Sequence, residues 1–331
     1  LDGLKADKMY LEIHGEVADS AVVAADGTFH MKGREPMQGA NYVALGNDKA
    51  RIGIAFWLFN DKVNVTMHGT GAYEVTGAKV EDEYRNYLAH MTPLWDKERA
   101  ELAIARKDLA RSGELSDSLA AVWLPREDSL FMIWARKHPK SYVSLNHIYN
   151  KRNMDKYPYS RYMKMMAALD TTAFEGRQWE TMREIIADDR ALEPGQPFPS
   201  DIDMPDAYGD TLRLSDLRGK YVLITLSSSP LGDYLADVPL RKELYANLHD
   251  KGLEMVDVLL DDAWSSIIRQ IAFHGMKWTA VCDLKGWGSP FVDALHIDHI
   301  TQNWIVGPDG KIIRHNVFGT KLKESLESLL K

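Results

Sequence analysis

One cysteine, Cys282, is present in 331 residues, so no intramolecular disulfide can form. The chemistry left to a lone thiol is that of a single-cysteine peroxidase or other single-thiol oxidoreductase. The reading preferred here is a buried, inert side chain, because Cys282 directly follows the apolar strand expected at 279–281. His296, Asp298 and His299 are the densest group of metal-ligand types. In an extended segment His296 and Asp298 would share one face while His299 points away, so only two ligands converge, and surface histidines without a metal are expected. Ser227-Ser228-Ser229 offers hydroxyls, yet no Gly-X-Ser-X-Gly elbow surrounds them, and a polar strand-to-helix loop is expected. Gly69-Thr-Gly71 lacks the third glycine of a nucleotide fingerprint and precedes no helix that would receive phosphate, so it reads as a hairpin. No cofactor is expected.

The elements that must position these residues belong to a chain long enough for two or three domains. Hydrophobic residues make up 45% and charged residues 27%, the balance of a globular protein. No window approaches the ~20 apolar residues of a membrane span. The net charge is −8 and the charged stretches, such as 96–99 and 106–111, mix both signs; nucleic acid is therefore not an expected partner. Residue 1 is Leu, which leads us to expect a processed or trimmed chain whose targeting segment is absent from this sequence.

Residues 9–14, 21–23, 28–32, 42–45, 52–58 and 63–68 read as short strands. Asp26-Gly27, Gly46-Asn47-Asp48 and Asn60-Asp61 separate them as turns, so 1–78 is expected to be an all-β sandwich or partly closed barrel. Helical spacing follows over 79–190, with Met and Trp residues as core, a break at Pro125, an end at Pro139 and further helices at 142–149, 160–169 and 172–187. Glu193-Pro-Gly-Gln-Pro-Phe-Pro199 reads as a linker. From 191 to 331 strands and helices alternate: strands at 211–214, 221–226, 253–259, 304–306 and 312–315, helices at 238–248, 264–273 and 322–330. That order predicts an α/β domain with a mixed central sheet and helices on both faces.

That third part resembles the thioredoxin-like domain of the thiol-disulfide oxidoreductase and alkyl hydroperoxide reductase (AhpC/TSA) families. The matching segments are Pro194-Gly-Gln-Pro197, Leu214-Ser-Asp-Leu-Arg-Gly-Lys-Tyr-Val-Leu223, residues 256–262, Cys282-Asp-Leu-Lys-Gly-Trp287 and Gly307-Pro-Asp-Gly-Lys-Ile-Ile313. The β region, with Asp19-Ser20-Ala21 and Asp26-Gly27-Thr28-Phe29, resembles the domain of unknown function DUF4369, which precedes such thioredoxin domains in envelope proteins. The resemblance implies a periplasmic or outer-membrane-associated location.

Redox members of the family carry Trp-Cys-X-X-Cys at the start of the helix after the buried strand, where the helix N-terminus stabilises the attacking thiolate and the second sulfur resolves the mixed disulfide. Counting between Leu223 and Pro239 puts those cysteine positions at Leu231 and Tyr234, so the motif reads Leu231-Gly232-Asp233-Tyr234 after Pro230. The carboxylate many thioredoxins bury six residues upstream is Thr225. The family's Ile-Pro-Thr loop, with a cis proline, reads Ile300-Thr301-Gln302 here. A non-proline cis bond costs ~3 kcal/mol, so a trans Thr301 and a reshaped groove are expected. The resemblance thus implies a scaffold without dithiol chemistry. The expected function is binding of a protein, peptide or small ligand through Pro230, Leu231, Tyr234 and the loop at 300–302, with His299 at the rim. The alternatives are single-thiol oxidoreductase chemistry at Cys282 or a metal-dependent activity at His296 and Asp298.

Overall fold

The computed structural model describes residues 1–3, 5–13, 15–32, 41–47, 52–59, 61–68, 72–105, 107, 112–153, 157–199 and 203–331, with the backbone alone at 41, 112–118 and 233. They form two compact units, Leu1–Glu184 and Ile185–Lys331.

In the first unit β1 (Lys8–Ile13), β2 (Glu16–Val22), β3 (Asn41–Asn47) and β4 (Ile52–Leu58) make an antiparallel sheet in the order β2-β1-β3-β4. A separate hairpin joins β5 (Asn64–Met67) to β6 (Tyr73–Thr76). Met9, Val43, Leu45 and Phe56 of the sheet share a core with Met67 and Val75 of the hairpin. No described strand pair closes the sheet into a barrel. Two expectations need correction. Residues 28–32 form no strand: Thr28 is drawn into a turn by Asp26, whose Oδ1 accepts from the Thr28 amide at 3.0 Å and from Oγ1 at 2.7 Å, and Phe29 and Met31 pack on the core without a ladder. Gly46 and Asn47 do not turn the chain but continue β3 opposite Gly53 and Ile52. Asp48, Asn60, Gly69-Thr-Gly71, Arg106 and Arg111 lie outside the described residues.

Five helices follow: α1 (Lys79–Ala105), α2 (Ser112–Lys137), α3 (Tyr142–Asn153), α4 (Tyr159–Met166) and α5 (Arg177–Ala191). The expected break at Pro125 does not occur; α2 runs through it. An interior proline costs about 3 kcal/mol in a helix. Here Trp123 on one side and Phe131 and Trp134 on the other are all buried, so tertiary packing holds the helix across the lost hydrogen bond. The interior does draw on Met and Trp, including Met91, Met165, Met166 and Met182.

In the second unit β9 (Tyr221–Ser227), β10 (Leu253–Leu259) and β11 (Thr279–Val281) run parallel, and β12 (Gln302–Val306) and β13 (Ile312–His315) add antiparallel to β9, giving the order β11-β10-β9-β12-β13. Alternation splits the side chains into two cores. Val222, Ile224 and Leu226 pack with Val256, Val258 and Trp304 on the face that carries α8 (Pro290–Ala294). Leu223, Met255 and Ile305 pack on the other face with α6 (Gly232–Leu248), α7 (Trp264–His274) and α9 (Gly319–Leu329). Both sheet edges are covered. A short hairpin of β7 (Asp203–Pro205) and β8 (Thr211–Arg213) reaches β11, since the Cys282 amide donates to the Pro205 carbonyl at 2.9 Å. On the far edge the segment read as a linker docks on β13: the amides of Gly195 and Ile312 donate to the carbonyls of Ile312 and Gln196 at 2.7 and 2.8 Å. Such cover removes an open template for pairing with another chain.

Candidate functional site

β9 delivers the chain to the carboxyl edge of the sheet, and residues 228–231 turn it into α6. The serines anchor this turn. Ser229, fully buried, donates its amide to Asp261 Oδ2 at 2.8 Å and its hydroxyl to Asp261 Oδ1 at 2.6 Å, and its oxygen is 2.9 Å from Ser266 Oγ on α7. Leu231 is the N-cap of α6 and supplies no side-chain cap, so the first turn keeps amides that a Ser or Asp would have satisfied. Leu231 is 37% exposed, with Pro230 and Gly232 also exposed beside it. Asp233 is described by its backbone alone.

Tyr234 does not belong to that surface, contrary to expectation: it is 2% exposed. Its hydroxyl donates to Asp257 Oδ2 at 2.6 Å, an oxygen that also accepts from Trp278 Nε1 at 2.6 Å. Arg241, two helical turns on, donates from Nη1 to Asp257 Oδ1 at 2.6 Å, and both side chains of this ion pair are 1% exposed. The guanidinium lies 4.7 Å from the Tyr234 ring centre and 5.0 Å from that of Trp278. Burial, then the Asp257 charge, pushes the Tyr234 phenol well above its usual range, so it stays a donor. The physical reason for the correction is helical geometry. Tyr234 sits one position before Leu235 on the face of α6 turned to the sheet, where Thr225 and its cross-strand neighbour Asp257 also point. Asp257, Arg241 and Trp278 were missed from the sequence. The available signal was a carboxylate inside the buried run Leu253–Leu259, which requires a buried donor.

The facing loop also departs from expectation. The Ile300–Thr301 peptide is cis, not trans. The trans expectation weighed only the local bond, whereas the loop is held from both sides: Thr301 Oγ1 is 2.7 Å from Ser227 Oγ, and Ile300 packs against the core. Gln302 donates from Nε2 to the His299 carbonyl at 2.9 Å, and its Oε1 is 3.0 Å from His315 Nε2. The loop therefore keeps its place beside Ser227, at the foot of the turn to Leu231. Among the described residues, the main-chain N–H and C=O groups of Ile300 have no hydrogen-bond partner.

Cys282 is 0% exposed; its Sγ donates to the Asp261 carbonyl and accepts from the Leu284 amide, each at 3.3 Å. Burial raises its pKa, which disfavours the thiolate. The histidine group is not extended as the sequence reading supposed. His296 has a positive φ of 49° at the turn after α8, and its Nδ1 lies 3.7 Å from Asp188 Oδ2, while Asp298 pairs with His299 Nδ1. Thus His296 and Asp298 do not converge, and no group of three or more metal-ligating side chains occurs among the described residues. No helix among them is long and apolar enough to cross a membrane.

No family model matches the chain. Among curated proteins it is 23% identical over 146 residues to the thiol-disulfide oxidoreductase ResA of Bacillus anthracis, covering 44% of this chain and 82% of that protein. To ResA of Bacillus subtilis strain 168 it is 20% identical over 130 residues, 39% of this chain and 70% of that one. Among solved structures, the thioredoxin domain of a thiol-disulfide oxidoreductase from Bacteroides vulgatus aligns with 24% identity and a TM-score of 0.40, covering 42% of this chain and 99% of that domain. A thiol-disulfide oxidoreductase from Bacteroides fragilis aligns with 24% identity and a TM-score of 0.37, covering 41% and 100%. Over about 44% of its length the chain is thus similar in sequence to thiol-disulfide oxidoreductases.

Proposed function

We propose that this chain is a redox-inactive member of the thioredoxin-like group that works by binding an extended peptide segment at the degenerate groove. The observation that carries the reading is the fate of sulfur: the single thiol is fully buried with both its hydrogen-bonding roles filled, and on our count along the chain the two motif positions fall on Leu231 and Tyr234. Thiol-disulfide exchange needs an accessible thiolate and a resolving partner. Binding needs neither. The main chain of Ile300, which bonds to none of the described residues, offers one donor and one acceptor to an added strand, and the exposed Pro230 and Leu231 lie on the neighbouring turn as apolar contacts. We further propose an envelope location and a three-part organisation, with a DUF4369-like region at 1–78, helices at 79–190 and the thioredoxin-like domain at 191–331.

Two measurements test this. Dithiothreitol-dependent insulin reduction should stay at the blank rate, and Cys282 should be alkylated slowly in the native protein and rapidly after unfolding. Turnover above the blank ends the redox-inactive reading. For binding, selection of peptides from a displayed library should yield sequences whose affinity falls about tenfold or more with Leu231→Asp. The same peptides should be indifferent to Phe273→Asp, a change at an 82% exposed position on α7. Equal effects of the two changes would remove the groove as the site.

A further inference from the structure

Between α1, α2 and α3 of the first unit lies a cavity of about 460 Å³ that neither the groove nor the family resemblance accounts for. Its size falls within the range of small-molecule sites. Leu88, Leu124 and Val143 contribute to its walls, but aromatic and polar side chains predominate, so in the free protein it would hold water.

The wall is held in place without a ligand. The Trp95 indole donates to Glu127 Oε1 at 2.8 Å, and Lys151 Nζ donates to Glu127 Oε2 at 2.6 Å, with the Glu127 side chain 5% exposed. Tyr87 is fixed by a 2.7 Å hydrogen bond between its hydroxyl and His147 Nδ1 and meets Trp95 edge-on at 6.0 Å. Burial lowers the pKa of His147 to about 3, so it is neutral near pH 7. Tyr87 is itself deeply buried, which leaves the half-buried Tyr84 and Trp95 to supply accessible ring surface. The charges on the wall are already engaged: Glu127 with Lys151, and Glu98 and Lys151 with further partners. No isolated ion awaits a counter-ion. Asn146 and Asn150, both half-buried, add amides that donate and accept at once.

Aromatic faces, amides and internally neutralised charges select a neutral ligand with an apolar face and a hydroxyl-rich edge. We propose that this cavity binds a neutral saccharide of one or two rings, its C–H face on Tyr84 and Trp95 and its hydroxyls on Asn150. A cationic ligand would meet the same rings but also Lys151 at close range. A preformed wall lowers the cost of binding, because little side-chain freedom remains to be lost.

The test is calorimetric titration of the full chain with maltose, cellobiose and N,N′-diacetylchitobiose, and with choline and spermidine as charged comparators. At least one disaccharide should bind saturably at millimolar concentration or below, and about tenfold more weakly to Trp95→Ala and to Asn150→Leu. Circular dichroism checks the fold of each variant; if Trp95→Ala fails to fold, Asn150→Leu decides. Leu231→Asp should leave this affinity unchanged, so failure here and failure at the groove are separable. Absence of saturable disaccharide binding, tighter binding of choline or spermidine, or affinity unaffected by the cavity variants would overturn the proposal.

Discussion

At position 234 a phenol lies on the face of α6 turned to the sheet, and its surroundings make it part of the core. Its hydroxyl is one of three donors on the buried Asp257 carboxylate, with Arg241 and Trp278. A buried carboxylate that loses a donor costs about 1–3 kcal/mol, so Tyr234→Phe should destabilise the second unit by that amount. Tyr234→Cys adds a cavity to the lost bond, and about 3–5 kcal/mol is expected from large-to-small aromatic changes. Leu231→Cys, at the exposed N-cap, should cost less than about 1 kcal/mol. Urea denaturation of the three variants measures this order directly. If Tyr234→Cys is as mild as Leu231→Cys, the network around Asp257 does not hold the helix to the sheet. The asymmetry also means that a cysteine pair introduced at 231 and 234 would injure the fold chiefly through position 234.

Among the elements, junctions rather than interiors set the sharpest constraints. Gly77 joins β6 to α1 with φ at +86°, and a Cβ built there would lie 2.4 Å from the Lys62 carbonyl oxygen. Gly195, in the segment docked on β13, has φ at +94° but open space around it. Gly195→Ala should therefore cost about 1–2 kcal/mol for the left-handed backbone alone, and Gly77→Ala distinctly more because backbone must also move. Equal losses in denaturant unfolding would show that the Lys62 contact relaxes freely. The sequence made the strands of the second unit legible because β9 and β10 are buried on both faces and read as continuous apolar runs. It misled at residues 28–32, where an alternating pattern serves packing without a ladder, and at Pro125, where buried neighbours override a local rule. Leu231 and Tyr234 could be placed by counting along the chain. Which of them faces solvent could not, because that depends on where the helix starts and on a partner, Asp257, contributed by another strand.

Over the whole molecule, each compact unit holds a neutral histidine, buried at 147 and half-buried at 315, and this couples stability to pH in both. His147 in the first unit is lowered to about 3 by burial, with the charge of Lys151 adding to the effect; Tyr87 bonds to it from α1 and Phe131 stacks on it from α2. His315 in the second unit is lowered to about 4 by burial. It stacks on Trp304 at 5.0 Å and pairs with Gln302, with Asp189 opposing the shift and His299 adding to it. In both cases the unfolded chain takes up a proton near pH 6.5 that the folded chain refuses. The stabilisation from keeping these rings neutral is therefore complete above about pH 6.5 and is lost as pH falls toward the folded values. Each group should contribute a slope of about 1.4 kcal/mol per pH unit inside that window. Between pH 6.5 and 5 most carboxylates remain ionised, which isolates the histidine term. Urea midpoints measured there should fall steadily for the native protein, and the fall should flatten in the first unit with His147→Leu and in the second with His315→Leu, whatever either change costs at pH 7. Unchanged slopes in both variants would mean that these rings are not the groups that make the protein sensitive to acid.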